Sequence, residues 1–173
     1  MSDNVYKYTL CFIQRCDEIL MLNRRSKPEM GVWNGVGGKL ETDERPELGI
    51  IREIAEETGI RLEREQVVLA GRITWVTPTM KSGMYVFLAR VGDDLDYPTP
   101  RMTEEGILDW KRVAWILEPL NKGIAHKIQH FLPPMLEGAV YDHIYDYDSG
   151  DNDIGYTRLP LGESAGRPAP ATK

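Results

Sequence analysis

Three glutamates lie close together within residues 46–58, the segment of this 173-residue chain with the strongest helical pattern. At about 100° per residue, Glu53, Glu56 and Glu57 share one side of such a helix. Carboxylates at this spacing repel one another, and Arg52 is the one basic residue in the segment. Because oxygen ligands suit hard cations, the glutamates predict a site for Mg²⁺, with Mn²⁺ as the alternative, rather than a zinc site.

The segment 46–58 also has recognisable helix ends. The polar residues 42–44 precede Pro46, and a polar cap followed by proline in the first turn predicts a helix start. Gly59 is typical of a left-handed helix stop. Without a metal, the glutamates would form the solvated acidic face of an ordinary surface helix. The opposite, apolar side is expected to pack on a sheet and consists of Leu48, Ile51 and Ala55.

The rest of the chain is mostly strand patterns separated by polar turns, which predict an α+β fold with helices flanking a sheet. A second helix is predicted over residues 123–135, ending near Pro133-Pro134. One domain is expected over residues 1–161, followed by a Gly/Ala/Pro-rich tail, 162–173, that is predicted to be disordered. Strands are predicted over residues 6–15, 19–23, 67–77, 84–91, 106–113, 141–148 and 154–159, and residues 33–40 are predicted to be a short strand running into a loop.

Composition and charge exclude several classes of function. The net charge of −6 argues against a nucleic-acid groove binder, which usually has a basic face. No apolar run approaches the roughly 20 residues that span a bilayer, and no secretory signal is recognisable. Cys11 and Cys16 have no partners for a zinc set, so they are predicted to be reduced thiols of a cytoplasmic protein. We expect a monomer or homodimer whose partner is a small-molecule nucleotide, not a nucleic acid or a membrane.

Residues 38–60 resemble the Nudix box in full. The pattern is G, five residues, E, seven residues, then R-E-U-x-E-E-x-G-U, where U is aliphatic, and the chain has GKLETDERPELGIIREIAEETGI. With each residue type at a few to about 7% of an average sequence, a chance match is negligible. The resemblance implies a Nudix hydrolase with an α/β/α sandwich around a mixed central sheet. The fixed positions are filled by Gly38, Glu44, Arg52, Glu53, Ile54, Glu56, Glu57, Gly59 and Ile60.

A second resemblance concerns the substrate. The segment WNGVGGKLE before the helix, a Glu-Glu-Gly before Trp110 and the closing aromatic segment are similar to MutT-type purine nucleoside triphosphatases. These enzymes act on oxidised nucleotides such as 8-oxo-dGTP, releasing the nucleoside monophosphate and pyrophosphate. The chain departs from the oxidised-purine enzymes in one place. They have an acidic residue near the start of the second helix, where this chain has Asn-Lys-Gly-Ile at 121–124.

The resemblance assigns the catalytic machinery. Arg52 is expected to orient and neutralise the carboxylates, and Glu44 to be its structural partner or a secondary acid. Glu53 and Glu105 are the candidates for the base that takes a proton from water. The alternative interpretation of Glu105 is an exposed loop carboxylate without a catalytic role. Gly38 and Gly59 are positions of the structural motif. The metal ligands are expected to be the Gly37 carbonyl and the carboxylates of Glu53, Glu56 and Glu57.

The resemblance also assigns substrate contacts. Arg24 and Lys39 are expected to contact the phosphates of the substrate. The alternative interpretation of Arg24 is an exposed loop residue that contacts no substrate. The Asn34 amide, which donates and accepts hydrogen bonds, is expected to recognise a purine edge, and an ordinary turn residue is the alternative. Trp33 is expected in the core or at the pocket wall, and Thr9 is expected to face the same pocket.

Three functions are compatible with these patterns. The first is a Mg²⁺-dependent nucleoside triphosphate pyrophosphohydrolase, with 8-oxo-dGTP as the favoured substrate. The second is a Nudix hydrolase of another diphosphate, such as a nucleotide sugar or a dinucleoside polyphosphate. The third is a non-catalytic nucleotide sensor, which the intact set of glutamates disfavours. His126 and His130 have the spacing of a metal pair but lack an accompanying glutamate, so they are predicted on a solvated helix face.

Overall fold

The computed structural model describes residues 5–162. Within them, two main helices pack on opposite faces of one nine-stranded sheet. The predicted tail lies outside the described residues beyond residue 162. The strands are β1 (Tyr6–Arg15), β2 (Glu18–Arg24), β3 (Trp33–Asn34), β4 (Val67–Val76), β5 (Lys81–Arg90), β6 (Arg101–Met102), β7 (Gly106–Arg112), β8 (Tyr141–Tyr147) and β9 (Asp153–Pro160). The α-helices are α1 (Pro46–Thr58), α2 (Val113–Ile116) and α3 (Ile128–Leu136).

The sheet is mixed, as the sequence predicts. Its order is β6-β7-β2-β1-β5-β4-β8-β9, and β3 pairs with β2. The pairs β1–β5 and β4–β8 are parallel, whereas the other pairs are antiparallel. One face carries a core with Ile50 and Ile54 of α1, and the other carries a core with Phe131 and Leu132 of α3. The architecture is therefore the α/β/α sandwich of an α+β fold.

The packing side of α1 differs from the predicted one. Ile50 and Ile54 are fully buried against the sheet, whereas Leu48 is 53% exposed and Ile51 is only partly buried. Because Glu53 and Glu57 each follow a buried isoleucine by three residues, they lie at the edge of the buried stripe rather than opposite it. Glu53 and Glu57 consequently face the glycine loop at residues 37–38, whereas Glu56 is exposed to solvent.

The ends of α1 follow the predicted bounds, but its start is capped differently. Arg45 is the N-cap and its side chain makes no capping hydrogen bond, while Pro46 occupies the first turn. The preceding polar residues do not cap the helix, because the Glu44 carboxylate accepts from the Glu41 N–H at 2.9 Å and from Arg52. Gly59 ends the helix with φ +77°, a left-handed conformation that glycine adopts without steric cost.

Of two other predicted elements, one is confirmed and one is shifted. The short strand predicted at the start of residues 33–40 pairs with β2 at Trp33–Asn34, and the loop that follows it touches β1 through single bridges. The second helix begins at Ile128, because Lys127 has φ +73° and residues 123–125 hydrogen-bond to Trp33 instead. It continues through Pro133 and Pro134 to Leu136, since packing of Leu132 and Met135 outweighs the lost N–H donors.

None of the helices within residues 5–162 is long and apolar enough to cross a membrane. Cys11 is buried in the core and Cys16 is exposed, and both are free thiols, as predicted.

Candidate active site

Arg52 connects the carboxylates of the candidate site. Its Nε and Nη2 donate to the two oxygens of Glu44 at 2.9 and 2.8 Å, so this pair is bidentate. Its Nη1 donates to Glu53 at 2.9 Å and to Glu56 at 3.2 Å. Hydrogen bonding to Arg52 lowers the pKa of Glu44. The geometry makes Arg52 the counter-charge that holds three acids of the box together.

Glu57 is the most enclosed of the three helix glutamates. Its Oε2 accepts a hydrogen bond from the Gly37 N–H at 2.9 Å. Burial disfavours the charged form and raises the pKa of Glu57 to about 7, although the bond from Gly37 acts in the opposite direction. Burial also raises the pKa of Glu53, against the effect of Arg52. These two carboxylates therefore lie where a cation would offset the cost of their burial.

The loop 35–40 is held against β1 and brings its glycines close to α1. Thr9 N–H donates to the Gly38 carbonyl at 2.8 Å, and its hydroxyl donates to the same carbonyl at 3.3 Å. A Cβ atom on Gly38 would lie 2.5 Å from Oε2 of Glu53. Glycine at this position is thus required for the close approach of the loop to the Glu53 carboxylate. Thr9, expected to face the pocket, is 3% exposed and fixes the loop.

A small acidic cavity of about 330 Å³ adjoins the glutamates of α1. Glu105, which precedes β7 on the chain, brings its carboxylate to this cavity and is exposed. The negative charges of Glu53 and Glu105 both contribute to the raised pKa of Glu57. The residues that line this acidic cavity are Glu53, Glu56, Glu57, Thr103, Glu104 and Glu105.

The donor set of the acidic cavity fits a hard divalent cation. Its side chains offer only oxygen atoms, from five carboxylates and the Thr103 hydroxyl, and such ligands suit Mg²⁺ or Mn²⁺. Among residues 5–162, no group of three His, Cys, Asp or Glu side chains lies close enough to hold a metal as the side chains stand. The Nη1 of Arg52 takes one oxygen each from Glu53 and Glu56.

A larger cavity of about 540 Å³, called here the main cavity, shares Glu53, Glu57 and Glu105 with the acidic cavity. It brings together most of the residues that the sequence predicts for substrate contact. Trp33 is absent from its lining, because its ring packs on the core and lies 4.2 Å from Lys111 Nζ. The predicted residues that line it are Thr9, Arg24, Asn34, Gly37, Gly38, Lys39, Glu53, Glu57 and Glu105.

Arg24 lines the main cavity and carries a positive charge close to the acidic residues. Its Nε is buried and has no hydrogen-bond partner within the described residues. The charge of Arg24 acts against the raised pKa of Glu57, so the guanidinium lies close enough to influence that carboxylate. Lys39 lines the same cavity and is exposed, which leaves its ammonium group free to move.

Several residues of the main cavity escaped the sequence analysis. Trp75 and Met84, on the paired strands β4 and β5, form part of its apolar wall together with Tyr8 of β1. The alternation of residues along a strand predicts which side chains share a face of the sheet. It does not predict whether that face lines a cavity or packs against a helix. Glu29, in the loop before β3, also lines the cavity and accepts from Asn34 Nδ2 at 2.8 Å. Irregular loops give no periodic signal, so Glu29 was not identified.

The two histidines do not form a metal pair on one helix. His126 precedes α3, and His130 lies within it. Both are exposed, in agreement with the predicted solvated positions, and His130 stacks on Tyr156 with ring centroids 4.6 Å apart.

Comparisons with known proteins bear on the family and the fold of this chain. A model of the NUDIX domain matches residues 7–135. A relative, the uncharacterized Nudix hydrolase YvcI of Bacillus subtilis, is 32% identical over 126 residues, which are 69% of this chain and 75% of YvcI. The crystal structure of a MutT protein from Bacillus halodurans has a TM-score of 0.69 at 24% identity, covering 87% of this chain and 95% of that one.

A further solved structure comes from Francisella tularensis and is a bifunctional NMN adenylyltransferase/ADP ribose pyrophosphatase complexed with AMP and a Mn ion. It has a TM-score of 0.59 at 22% identity, over 77% of this chain and 41% of that one. The two structures support the fold, while the domain model spans the glutamate helix and most of the sheet. This protein therefore belongs to the Nudix hydrolase family.

Proposed function

We propose that this Nudix hydrolase cleaves nucleoside triphosphates to the nucleoside monophosphate and pyrophosphate with Mg²⁺, and that oxidised purine nucleotides such as 8-oxo-dGTP are its favoured substrates. The continuity of the main cavity is the observation that carries this proposal. In this proposal, Glu53, Glu57 and Arg24 of its lining form a phosphate end, and Asn34 and Trp75 form a base end. A single cavity thus offers groups for phosphates and for a base.

The phosphate end combines basic residues, which would bind phosphate directly, with carboxylates, which would bind it through a metal. Arg24 and Lys39 both line the main cavity and supply two positive charges there. Gly37 and the three helix glutamates would hold Mg²⁺, or Mn²⁺ in its place. A bound divalent cation would neutralise phosphate charge and increase the acidity of water in the site.

The chain's own residues would then orient the reaction. Arg52 holds Glu44 in a bidentate pair and takes one oxygen each of Glu53 and Glu56, so the second oxygen of each carboxylate is left for a cation. Glu105, which lines both the acidic and the main cavity, would accept the proton of the attacking water. Glu53 is the alternative base: burial raises its pKa, while its bond to Arg52 acts in the opposite direction.

The base end supports nucleotide binding through different chemistry. Trp75, Met84 and Tyr8 offer an apolar wall, and an aromatic ring is a suitable platform for stacking of a base. Asn34 lies beside this wall with an amide that both donates and accepts. The combination of a flat apolar surface and one directional amide is typical of small-molecule sites that recognise a base.

A second candidate substrate is an ADP-ribose-like diphosphate. The similar Francisella tularensis protein is described as an ADP ribose pyrophosphatase. A side cavity of about 400 Å³ shares Glu29 with the main cavity and is also lined by Lys122, His126 and Lys127. This adjoining space would accommodate the second sugar of a larger diphosphate.

A panel of substrates distinguishes the two candidates. Purified protein is incubated with Mg²⁺ and dGTP, 8-oxo-dGTP, dATP, dCTP, ADP-ribose or a dinucleoside polyphosphate, and pyrophosphate, orthophosphate and nucleoside monophosphate are quantified. We expect pyrophosphate release from triphosphates, with the highest kcat/KM for 8-oxo-dGTP. Turnover of ADP-ribose alone would replace the proposal by the second candidate. Tight nucleotide binding without any turnover, at all Mg²⁺ and Mn²⁺ concentrations, would contradict both.

A further inference from the structure

A carboxylate from an irregular loop reaches the base end of the main cavity. Glu29 lies between β2 and β3 and has φ +60°, a conformation that is uncommon for residues other than glycine. The ends of its loop are tied by bonds from Gly31 N–H to the Arg24 carbonyl at 2.8 Å and from Asn23 Nδ2 to the Gly31 carbonyl at 3.0 Å. These bonds fix the shape of the loop, and the Glu29 side chain reaches Asn34 of β3.

The two oxygens of Glu29 accept from two different parts of the fold. Oε2 accepts from Asn34 Nδ2 at 2.8 Å, and Oε1 accepts from the backbone N–H of His126 at 3.2 Å. Glu29 thus lines both the main cavity and the side cavity. Its carboxylate forms a bridge between β3 and the segment that precedes α3.

This bridge fixes what Asn34 can offer to a ligand. The Asn34 Oδ1 accepts from the Gly35 N–H at 2.8 Å, while Nδ2 faces a carboxylate that can only accept. The amide orientation is consequently determined by the chemistry of its neighbours. One N–H and one lone pair of Asn34 remain for a base, side by side.

The charge of Glu29 adds a preference that Asn34 alone lacks. Both partners of its carboxylate within residues 5–162 are uncharged N–H groups, so neither neutralises its negative charge. A free lone pair of this carboxylate attracts further N–H donors and repels bare acceptors. Guanine carries N1–H and an exocyclic amino group as adjacent donors, whereas adenine has an unprotonated N1 at the corresponding edge position.

We propose that Glu29 is a specificity-determining residue that favours guanine-type bases, oxidised guanine included, over adenine. The inference rests on the proposed function, since it assigns the main cavity to a nucleotide. Glu29 contributes here the acidic group that the sequence lacks at residues 121–124, from a different segment of the chain. It acts on the base directly through its charge and indirectly by holding the Asn34 amide.

Binding of monophosphates tests this role without requiring turnover. Dissociation constants for dGMP and dAMP are measured by calorimetry on the full chain and on Glu29→Gln, which is isosteric and uncharged. We expect the full chain to prefer dGMP and Glu29→Gln to lose about 10- to 100-fold of that preference, mainly through weaker dGMP binding. Glu137→Gln removes one exposed negative charge at the end of α3 and is expected to leave the preference unchanged.

The outcomes separate this inference from the proposed function. A Glu29-dependent preference for dGMP in a protein that hydrolyses no triphosphate would sustain the inference while the proposed function fails. Triphosphate hydrolysis with equal affinity for dGMP and dAMP would support the proposed function and contradict the inference about Glu29. A purely structural role would weaken dGMP and dAMP binding equally in Glu29→Gln, and that result would overturn the proposal. In turnover, the expected signature is a raised KM for dGTP, with kcat retained and the KM for dATP unchanged.

Discussion

At the scale of single residues, Glu57 is a carboxylate whose burial makes its charged form costly. Its carboxylate accepts from Gly37 N–H, and burial raises its pKa to about 7. Glu57→Gln keeps the size and an oxygen for Gly37 but removes the charge. We expect kcat with Mg²⁺ to fall by more than about 100-fold, since losing even an outer partner of a metal ligand costs roughly 10- to 100-fold.

The same variant should fold at least as well as the natural chain. Removing a buried charge relieves a desolvation cost, so the metal-free Tm of Glu57→Gln is expected to be equal or higher. Mg²⁺ should raise the Tm of the natural chain by selective binding to the folded state, and raise that of the variant less. Glu56→Gln, at an exposed position of the same helix, should show the same loss of kcat. Near-normal kcat in both variants would sink the ligand assignment.

Arg24 carries a separate prediction, because its positive charge in the main cavity acts on Glu57 and would attract phosphate rather than a base. Arg24→Gln removes the cation and retains some hydrogen-bonding capacity. A charge-assisted hydrogen bond contributes about 1.5 to 3 kcal/mol, so KM should rise by about 10- to 100-fold for purine and pyrimidine triphosphates alike. Steady-state kinetics with dGTP and dCTP measure this. A rise confined to one base would mean that Arg24 acts in base recognition instead.

At the scale of elements, the helix α1 and the loop 35–40 both pack against β1 and together position the site. The loop is fixed by backbone bonds to β1, among them Cys11 N–H to the Val36 carbonyl at 2.7 Å. The helix is fixed by Ile50 and Ile54 in the core on the same face of the sheet. The site is therefore assembled between two rigidly held segments rather than on a free loop.

Gly38→Ala tests this arrangement. The added methyl group would displace the Glu53 carboxylate, which is the flexible end of a side chain, so the fold should tolerate the change with a stability loss below about 1 kcal/mol. Displacement of a catalytic group by about 1 Å can cost 100-fold, and we expect kcat to fall by about 10- to 100-fold. Gly162→Ala, where a Cβ would meet no atom within 4 Å, is the matched control. Full activity of Gly38→Ala would show that the close approach is dispensable.

The element scale also shows what the sequence can and cannot predict. The bounds of α1 follow from Pro46 and Gly59, because proline and glycine act locally on the backbone. The buried side of α1 cannot be predicted in the same way. Leu48 and Ile50 are both apolar, and Ile50 is the buried one because it faces the sheet. Glu29 is unpredictable for a similar reason, since its two partners are Asn34, five residues away, and His126, 97 residues away.

At the scale of the whole molecule, the sheet continues beyond the matched NUDIX domain. The domain match ends at residue 135, whereas β8 and β9 follow it and extend the sheet by a hairpin. This hairpin packs on α3 through aromatic rings, with Phe131 and His143 centroids 6.1 Å apart. His143 Nδ1 lies 2.9 Å from the Tyr156 hydroxyl, so the imidazole joins both strands of the hairpin.

His143 makes the attachment of this hairpin sensitive to acid. The side chain is fully buried, its Nε2 has no partner within the described residues, and burial lowers its pKa to about 4, with Arg158 acting in the same direction. An unfolded histidine has a pKa near 6.5, so the unfolded chain binds the proton more readily. The free energy of unfolding should therefore be highest above pH about 6.5 and fall on acidification toward pH about 4, by on the order of 2 kcal/mol from this group.

Two measurements check this dependence. In an NMR titration, the His143 resonance should keep its neutral form down to a pH of about 4, and burial lowers the pKa of the two exposed histidines, His126 and His130, as well. Denaturant unfolding at pH 7 and pH 5 should show a smaller difference for His143→Phe, which fills the same aromatic space without a titrating group. Because His143 lies in the hairpin rather than at the cavity, the variant should retain its kcat at pH 7. A His143 pKa near 6.5, or an unchanged pH dependence in His143→Phe, would mean that the acid sensitivity of the fold arises elsewhere.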